Sequence, residues 1–83
     1  MKICIIGSNS FSGASFADYC LTEGHDVLGV SRSALPYSAF LPFSDNPMRG
    51  NFQFQQLDLN TDLGMLAALL GKFQPELVVN FSA

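Results

Sequence analysis

The chain has 83 residues, enough for one small hydrophobic core, and 48% of them are hydrophobic against 13% charged, which excludes a disordered polar segment. Its net charge of -3, from four basic and seven acidic residues with no Lys/Arg cluster, argues against nucleic-acid or anionic-membrane binding through a basic patch. No apolar run approaches the ~18 residues of a membrane span, and the short run behind Lys2 lacks a cleavage pattern, so a cytoplasmic protein is expected.

Ile3 to Ile6 is too brief for a helix, and its apolar residues are consecutive rather than alternating, which predicts a strand buried on both faces. A turn of small residues follows, Gly7-Ser-Asn-Ser-Phe-Ser-Gly13. From Phe11 to about Glu23 the pattern is helical, with Ala14, Ala17, Cys20 and Leu21 on one face and Gly24 placed as the residue after the cap. Asp26 to Ser31 reads as a second strand through Val27, Leu28 and Val30. Cys4 and Cys20 have no partner at metal-ligand spacing and are expected to be buried thiols that act as small hydrophobes.

Periodicity then fails between Arg32 and Gly50, where Pro36, Pro42 and Pro47 allow at most a short helical turn. The aromatics there, Tyr37, Phe40 and Phe43, either cover bare sheet or wait for a partner. Phe52 and Phe54 alternate with Gln53 and Gln55, the period of a strand with one buried face and therefore of an edge. Asn60 or Thr61 is the expected N-cap of a second helix running to Phe73, with Asp62 in its first turn and Gly71 and Pro75 marking its exit. Leu77-Val78-Val79 opens a fourth strand.

Strands alternating with helices or long connections imply parallel βαβ units in an α/β fold. Order 3-2-1-4 makes strand 3 an edge and strands 1 and 4 central. Right-handed crossovers then place the two helices on opposite faces of the sheet. This is half of a doubly wound, Rossmann-like sheet. A turn between strand 1 and the helix can build a phosphate site from backbone alone, because the first helical N–H groups lack internal acceptors and the helix dipole adds positive charge. Gly7, Ser10 and Gly13 match the glycine spacing of such a site with the middle glycine replaced. Gly7 makes the tight turn and Gly13 brings the helix against strand 1. Ser10 still offers an N–H and a hydroxyl toward phosphate, while its Cβ takes up space.

The chain resembles the N-terminal part of an extended short-chain dehydrogenase/reductase, the group of NAD-dependent epimerases and dehydratases that act on nucleotide sugars. The resemblance covers all 83 residues and is carried by Gly7 and Gly13, by Glu23-Gly24-His25-Asp26-Val27, by Asp58-Leu59, and by Gln74-Pro75-Glu76-Leu77-Val78-Val79-Asn80. The segment Pro75 to Ala83 is most similar to the sugar-nucleotide 4,6-dehydratase branch. The resemblance implies that Gly7, Ser10, Phe11 and Gly13 surround a dinucleotide pyrophosphate and that Asp58 and Leu59 lie beside adenine. It also implies that Phe81, Ser82 and Ala83 pass the nicotinamide-side ribose. At the end of strand 2, where an acidic residue would bind a ribose 2′-OH, stand Ser31, Arg32 and Ser33. A guanidinium flanked by hydroxyls suits a 2′-phosphate, so NADP is favoured with NAD possible; the plain alternative is a solvated Arg32.

The group's Tyr-x-x-x-Lys pair has no counterpart, since Tyr19 is followed four positions on by Glu23 and Tyr37 by Leu41. The expected description is one N-terminal dinucleotide-binding segment, 1–83, cut after the fourth strand and not catalytically complete alone, whose substrate would be met only in a longer form. Its strand 4 edge is expected to self-associate or to pack on the missing half of the sheet. Two alternatives stand: a non-catalytic NADP-binding or sensing module, and a doubly wound domain that binds no dinucleotide. A Walker-type site is disfavoured because no Gly-Lys-Ser/Thr follows the turn.

Overall fold

The computed structural model describes residues 1–35 and 41–82. The apolar residues of the first two strands leave no face to offer water, and those strands form the middle of a parallel sheet. The strands are β1 (Lys2–Ile6), β2 (Asp26–Ser31), β3 (Phe52–Gln56) and β4 (Leu77–Asn80), in the order β3-β2-β1-β4. Register pairs Ile3 with Val27 and Leu77, and Val27 in turn with Phe52. Two helices connect them, α1 (Phe11–Thr22) between β1 and β2, and α2 (Leu63–Phe73) between β3 and β4. Neither is long and apolar enough to cross a membrane.

The sheet separates two cores. On one face Ala14, Ala17, Cys20 and Leu21 of α1 pack on Ile3, Ile5 and Val27, joined by Leu41 and Phe43. On the other, Phe73 of α2 packs with Cys4, Leu28, Val30 and Leu57, flanked by half-buried Leu66, Leu69 and Leu70. The helices thus lie on opposite faces, as right-handed crossovers in this strand order require. Both cysteines are free and buried inside these cores, and burial pushes both thiols up from their ordinary range.

The long connection resolves in favour of sheet coverage at Phe43, which is 2% exposed with its ring centroid 4.5 Å from that of Phe52. Asn46 ties this stretch to α1, its Nδ2 donating to the Asp18 carboxylate at 2.9 Å and to the Thr22 hydroxyl at 3.1 Å. A single 3₁₀ turn, Arg49–Asn51, then leads into β3. Pro36, Tyr37 and Phe40 lie outside the described residues.

Four details differ from the sequence-based expectation. First, α1 ends at Thr22, one residue earlier, because Gly24 (φ 85°) closes a Schellman motif in which the Gly24 N–H donates to Leu21 O and the His25 N–H to Cys20 O, each at 3.0 Å. Second, α2 begins at Leu63, and neither Asn60 nor Thr61 caps it. Asp62 holds the cap position, but its carboxylate is turned back to accept the Asp58 N–H at 3.0 Å. Third, α2 runs through Gly71, and the left-handed residue that ends it is Gln74 (φ 52°), directly before Pro75. A residue preceding proline is disfavoured in the α region, so the helix leaves there whatever its neighbours prefer. Fourth, β4 is an outer strand of this sheet, leaving Leu77 42% and Val78 46% exposed.

Candidate functional site at the carboxyl ends of the strands

Two glycines set the turn between β1 and α1 by the room they leave. Gly7 has φ 80°, and a Cβ on it would sit 2.7 Å from the backbone nitrogen of Ser82. Only glycine meets both conditions. A Cβ on Gly13 would collide with the carbonyl oxygen of Gly7, so a side chain there would push α1 away from the turn. Ser10 is the N-cap of α1. Its hydroxyl accepts the Gly13 N–H at 3.0 Å and donates to Gly7 O at 2.8 Å, while its own N–H also donates to Gly7 O, at 3.1 Å. In the structure both groups that Ser10 was expected to offer a phosphate are engaged within the turn, its N–H and O–H on Gly7 O and its oxygen on the Gly13 N–H. Next to it, the amides of Phe11 and Ser12 find no acceptor among the described residues. The ring of Phe11 is 90% exposed, so what Phe11 brings to the site is its backbone.

Beside this turn lies a cavity of about 330 Å³, lined by Ile6 and Gly7 after β1, by Val30, Ser31 and Arg32 at the end of β2, by Leu57 to Asn60 after β3, and by Ser82 after β4. Parallel pairing causes this convergence, since all four strands point their carboxyl ends the same way. One backbone bond beyond β3, Leu57 N–H to Ser31 O at 2.8 Å, holds Asp58 near Ser31. The Asp58 carbonyl accepts from the amides of Thr61 and Asp62, and its Oδ1 accepts the Asn60 N–H at 2.9 Å. Its Oδ2 has no donor among the described residues. Arg32 is the one cation among the lining residues and Asp58 the one anion.

Of the residues singled out from sequence, Gly7, Ser31, Arg32, Asp58, Leu59 and Ser82 line this one cavity. Ser10, Phe11 and Gly13 stand at the adjoining end of α1. Ser33 sits beside it, tied to the turn through Asn9. Phe81 is placed differently, with its ring 5.7 Å from Phe16 on the α1 side of the sheet, so that only its backbone borders Gly7. Ala83 lies outside the described residues.

Ser8 and Asn9 carry no site role in the sequence reading, and Asn60, read there as a helix cap, lines the cavity instead. Asn9 has the most contacts: its N–H donates to Ser31 Oγ at 2.9 Å, and its Nδ2 lies 3.1 Å from Ser33 O, 3.1 Å from Ser33 Oγ and 2.9 Å from Ala34 O. Pairing of β1 with β2 puts the residues that follow each strand side by side, and that topology was the available signal. Ser8 is 2% exposed, and its Oγ has no partner among the described residues. It fits only because Gly29 opposite has no side chain, since a Cβ there would lie 2.6 Å from Ser8 Oγ and 2.8 Å from Phe52 Cζ.

A second recess, about 470 Å³, opens at the amino ends of the strands, lined by Lys2, Asp26, Leu28, Gln53, Leu69, Lys72 and Phe73. It is larger but has no small-residue turn and no helix N-terminus. In open α/β sheets ligands sit outside the carboxyl ends of the strands, which favours the first cavity.

The structure is similar to that of dTDP-glucose 4,6-dehydratase (rfbB) from Bacillus anthracis in complex with NAD, with a TM-score of 0.78 and 21% identity over 100% of this chain and 27% of the other. The Bordetella bronchiseptica enzyme WbmG in complex with NAD gives 0.79 and 23%, covering 100% of this chain and 25% of that one. WbmH from the same organism, with NAD+, gives 0.77 and 27%, covering 99% and 25%. The chain thus spans about a quarter of the length of these enzymes. No curated protein sequence matches it. The family model described as NAD dependent epimerase/dehydratase family matches residues 3–83. With nearly the whole chain matched by that model, the protein belongs to the NAD dependent epimerase/dehydratase family.

Proposed function

We propose that this chain binds a nicotinamide dinucleotide at the carboxyl ends of its strands, with NADP preferred over NAD, and that it is the N-terminal part of an epimerase, dehydratase or reductase acting on a nucleotide sugar. One observation carries the reading: a single cavity beside the α1 N-terminus gathers Gly7, Ser31, Arg32, Asp58, Leu59 and Ser82 from four strand ends. The residues fit the group. Gly7 and Gly13 leave a cradle that a Cβ would fill, and the amides of Phe11 and Ser12 face the end of the helix where a pyrophosphate is stabilised. Asp58 keeps Oδ2 to accept from an adenine amine, and Leu59 gives that ring an apolar neighbour. Ser31, Arg32 and Ser33 supply donors for a 2′-phosphate. Phe81 and Ser82 follow β4, and together with Ala83 in the sequence they are the residues assigned to the nicotinamide-side ribose.

A bound nicotinamide supplies hydride transfer. The residues of this chain bind and orient; the proton-transferring Tyr-x-x-x-Lys pair is not among its 83 residues and belongs to a longer form. The NAD complexes of the similar enzymes support a dinucleotide as the ligand, and Arg32 supports the choice of NADP. The exposed outer strand β4 is a pairing edge, filled by further sheet in a longer form or by self-association. Calorimetric titration with NADP+ and NAD+ tests the preference. NADP+ is expected to bind the more tightly, and Arg32→Ala to remove the difference; equal affinity or tighter NAD+ in the unaltered protein overturns the assignment.

A further inference from the structure

We infer that Asn9 sets the dinucleotide specificity of this site, by clasping the β1–α1 turn to the segment after β2 and leaving the hydroxyls of Ser31 and Ser33 as outward donors on either side of Arg32. The inference rests on the NADP reading above. It starts from the amide of Asn9, whose nitrogen is within 3.1 Å of three oxygens, Ser33 O, Ser33 Oγ and Ala34 O. A flipped amide would set its oxygen against those acceptors, so chemistry fixes the orientation. The same orientation leaves Asn9 Oδ1 buried without a partner among the described residues. Such groups are uncommon in native proteins, and this one lies where Asn9 bonds the residues on both sides of Arg32, the one cation among the described lining residues.

The hydroxyls follow from valence. A hydroxyl has one proton and two lone pairs. Ser31 Oγ accepts the Asn9 N–H at 2.9 Å, and Ser33 Oγ accepts Asn9 Nδ2 at 3.1 Å. With a lone pair of each oxygen directed at Asn9, each proton points away from it, and neither finds an acceptor among the described residues. Ser31 lines the cavity beside Arg32 and Ser33 follows it in the chain, so a phosphate monoester there meets a guanidinium flanked by two hydroxyls whose protons are free to donate. A ribose 2′-OH has no negative charge to reward that arrangement. Asn9 acts through its neighbours and touches no ligand in this scheme, which makes it a positioning residue.

The test is the ratio of dissociation constants for NADP+ and NAD+ in the unaltered full chain and in Asn9→Ala, Ser33→Ala and Arg32→Ala. Asn9→Ala is expected to weaken NADP+ roughly tenfold, in line with the loss of a hydrogen bond to a charged group, while NAD+ changes by less than about twofold. An equal effect on both dinucleotides, or on neither, overturns the inference. Should Asn9→Ala not fold, Ser33→Ala, an exposed position, decides. A selective loss of NADP+ affinity supports the donor role, and an unchanged ratio overturns it. Failure of the underlying reading has its own signature, an unaltered protein without NADP+ preference and an Arg32→Ala variant indistinguishable from it.

Discussion

At the scale of single residues, Ser8 and Gly29 form a lock whose two halves respond oppositely to a methyl group. Gly29→Ala puts a Cβ 2.6 Å from Ser8 Oγ in a fully packed interior and is expected to cost about 1–3 kcal/mol in a denaturant unfolding curve. Ser8→Ala removes a buried hydroxyl without a partner and is expected to gain about 1 kcal/mol. A neutral Gly29→Ala would show that β2 and the turn are not pressed together. Cys4 and Cys20 respond to pH. Burial holds their thiols protonated above the ordinary thiol range, so the folded state keeps protons that the unfolded chain loses first. The stability they contribute is complete below the unfolded thiol pKa of about 8.5 and is lost as pH rises through their folded values. Unfolding midpoints measured from pH 7 to 10 are expected to fall above that point, and less steeply in a Cys4→Ala, Cys20→Ala double variant. An identical slope in the two proteins would remove the thiols as the cause.

At the scale of elements, β4 and α2 show what is legible in a sequence. The position of β4 next to β1, and the placing of α1 and α2 on opposite faces, follow from apolar runs, alternation in β3 and one handedness rule. The ends of α2 were not legible in the same way. Its start is decided by the carboxylate of Asp62 bonding to the Asp58 amide, and its exit by Pro75 acting on Gln74, and both outweigh the usual preferences for Asn or Thr caps and glycine exits. The outer strand β4 presents Leu77 and Val78 to solvent beside unpaired backbone. Sedimentation velocity of the 83-residue chain is expected to show association that grows with concentration and declines in Val78→Lys, since a charge on a strand edge discourages pairing. A monodisperse monomer at high concentration would contradict the pairing role.

At the scale of the whole molecule, the candidate site is a product of convergence more than of motif. Gly7 and Gly13 alone match a weak pattern; it is the parallel sheet that brings Asp58, Ser82 and Arg32 to the same cavity. Residues with a distinctive type at the end of a strand, such as Arg32 and Asp58, could be found from sequence. Asn9 could not, because its three acceptors lie 24 and 25 positions away and become neighbours only when β1 pairs with β2. The Ser10 hydroxyl shows a different case, a polar group legible from its place in the turn whose bonds to Gly7 and Gly13 are seen only in the structure. The most direct test is amide chemical-shift mapping of the full chain titrated with NADP+. Saturable shifts are expected at Phe11, Ser12, Gly13, Arg32, Ser33, Asp58 and Leu59, around the cavity at the carboxyl ends of the strands. No saturable shift, or shifts gathered at Lys2, Asp26 and Lys72 around the opposite recess, would contradict a dinucleotide site at the α1 N-terminus.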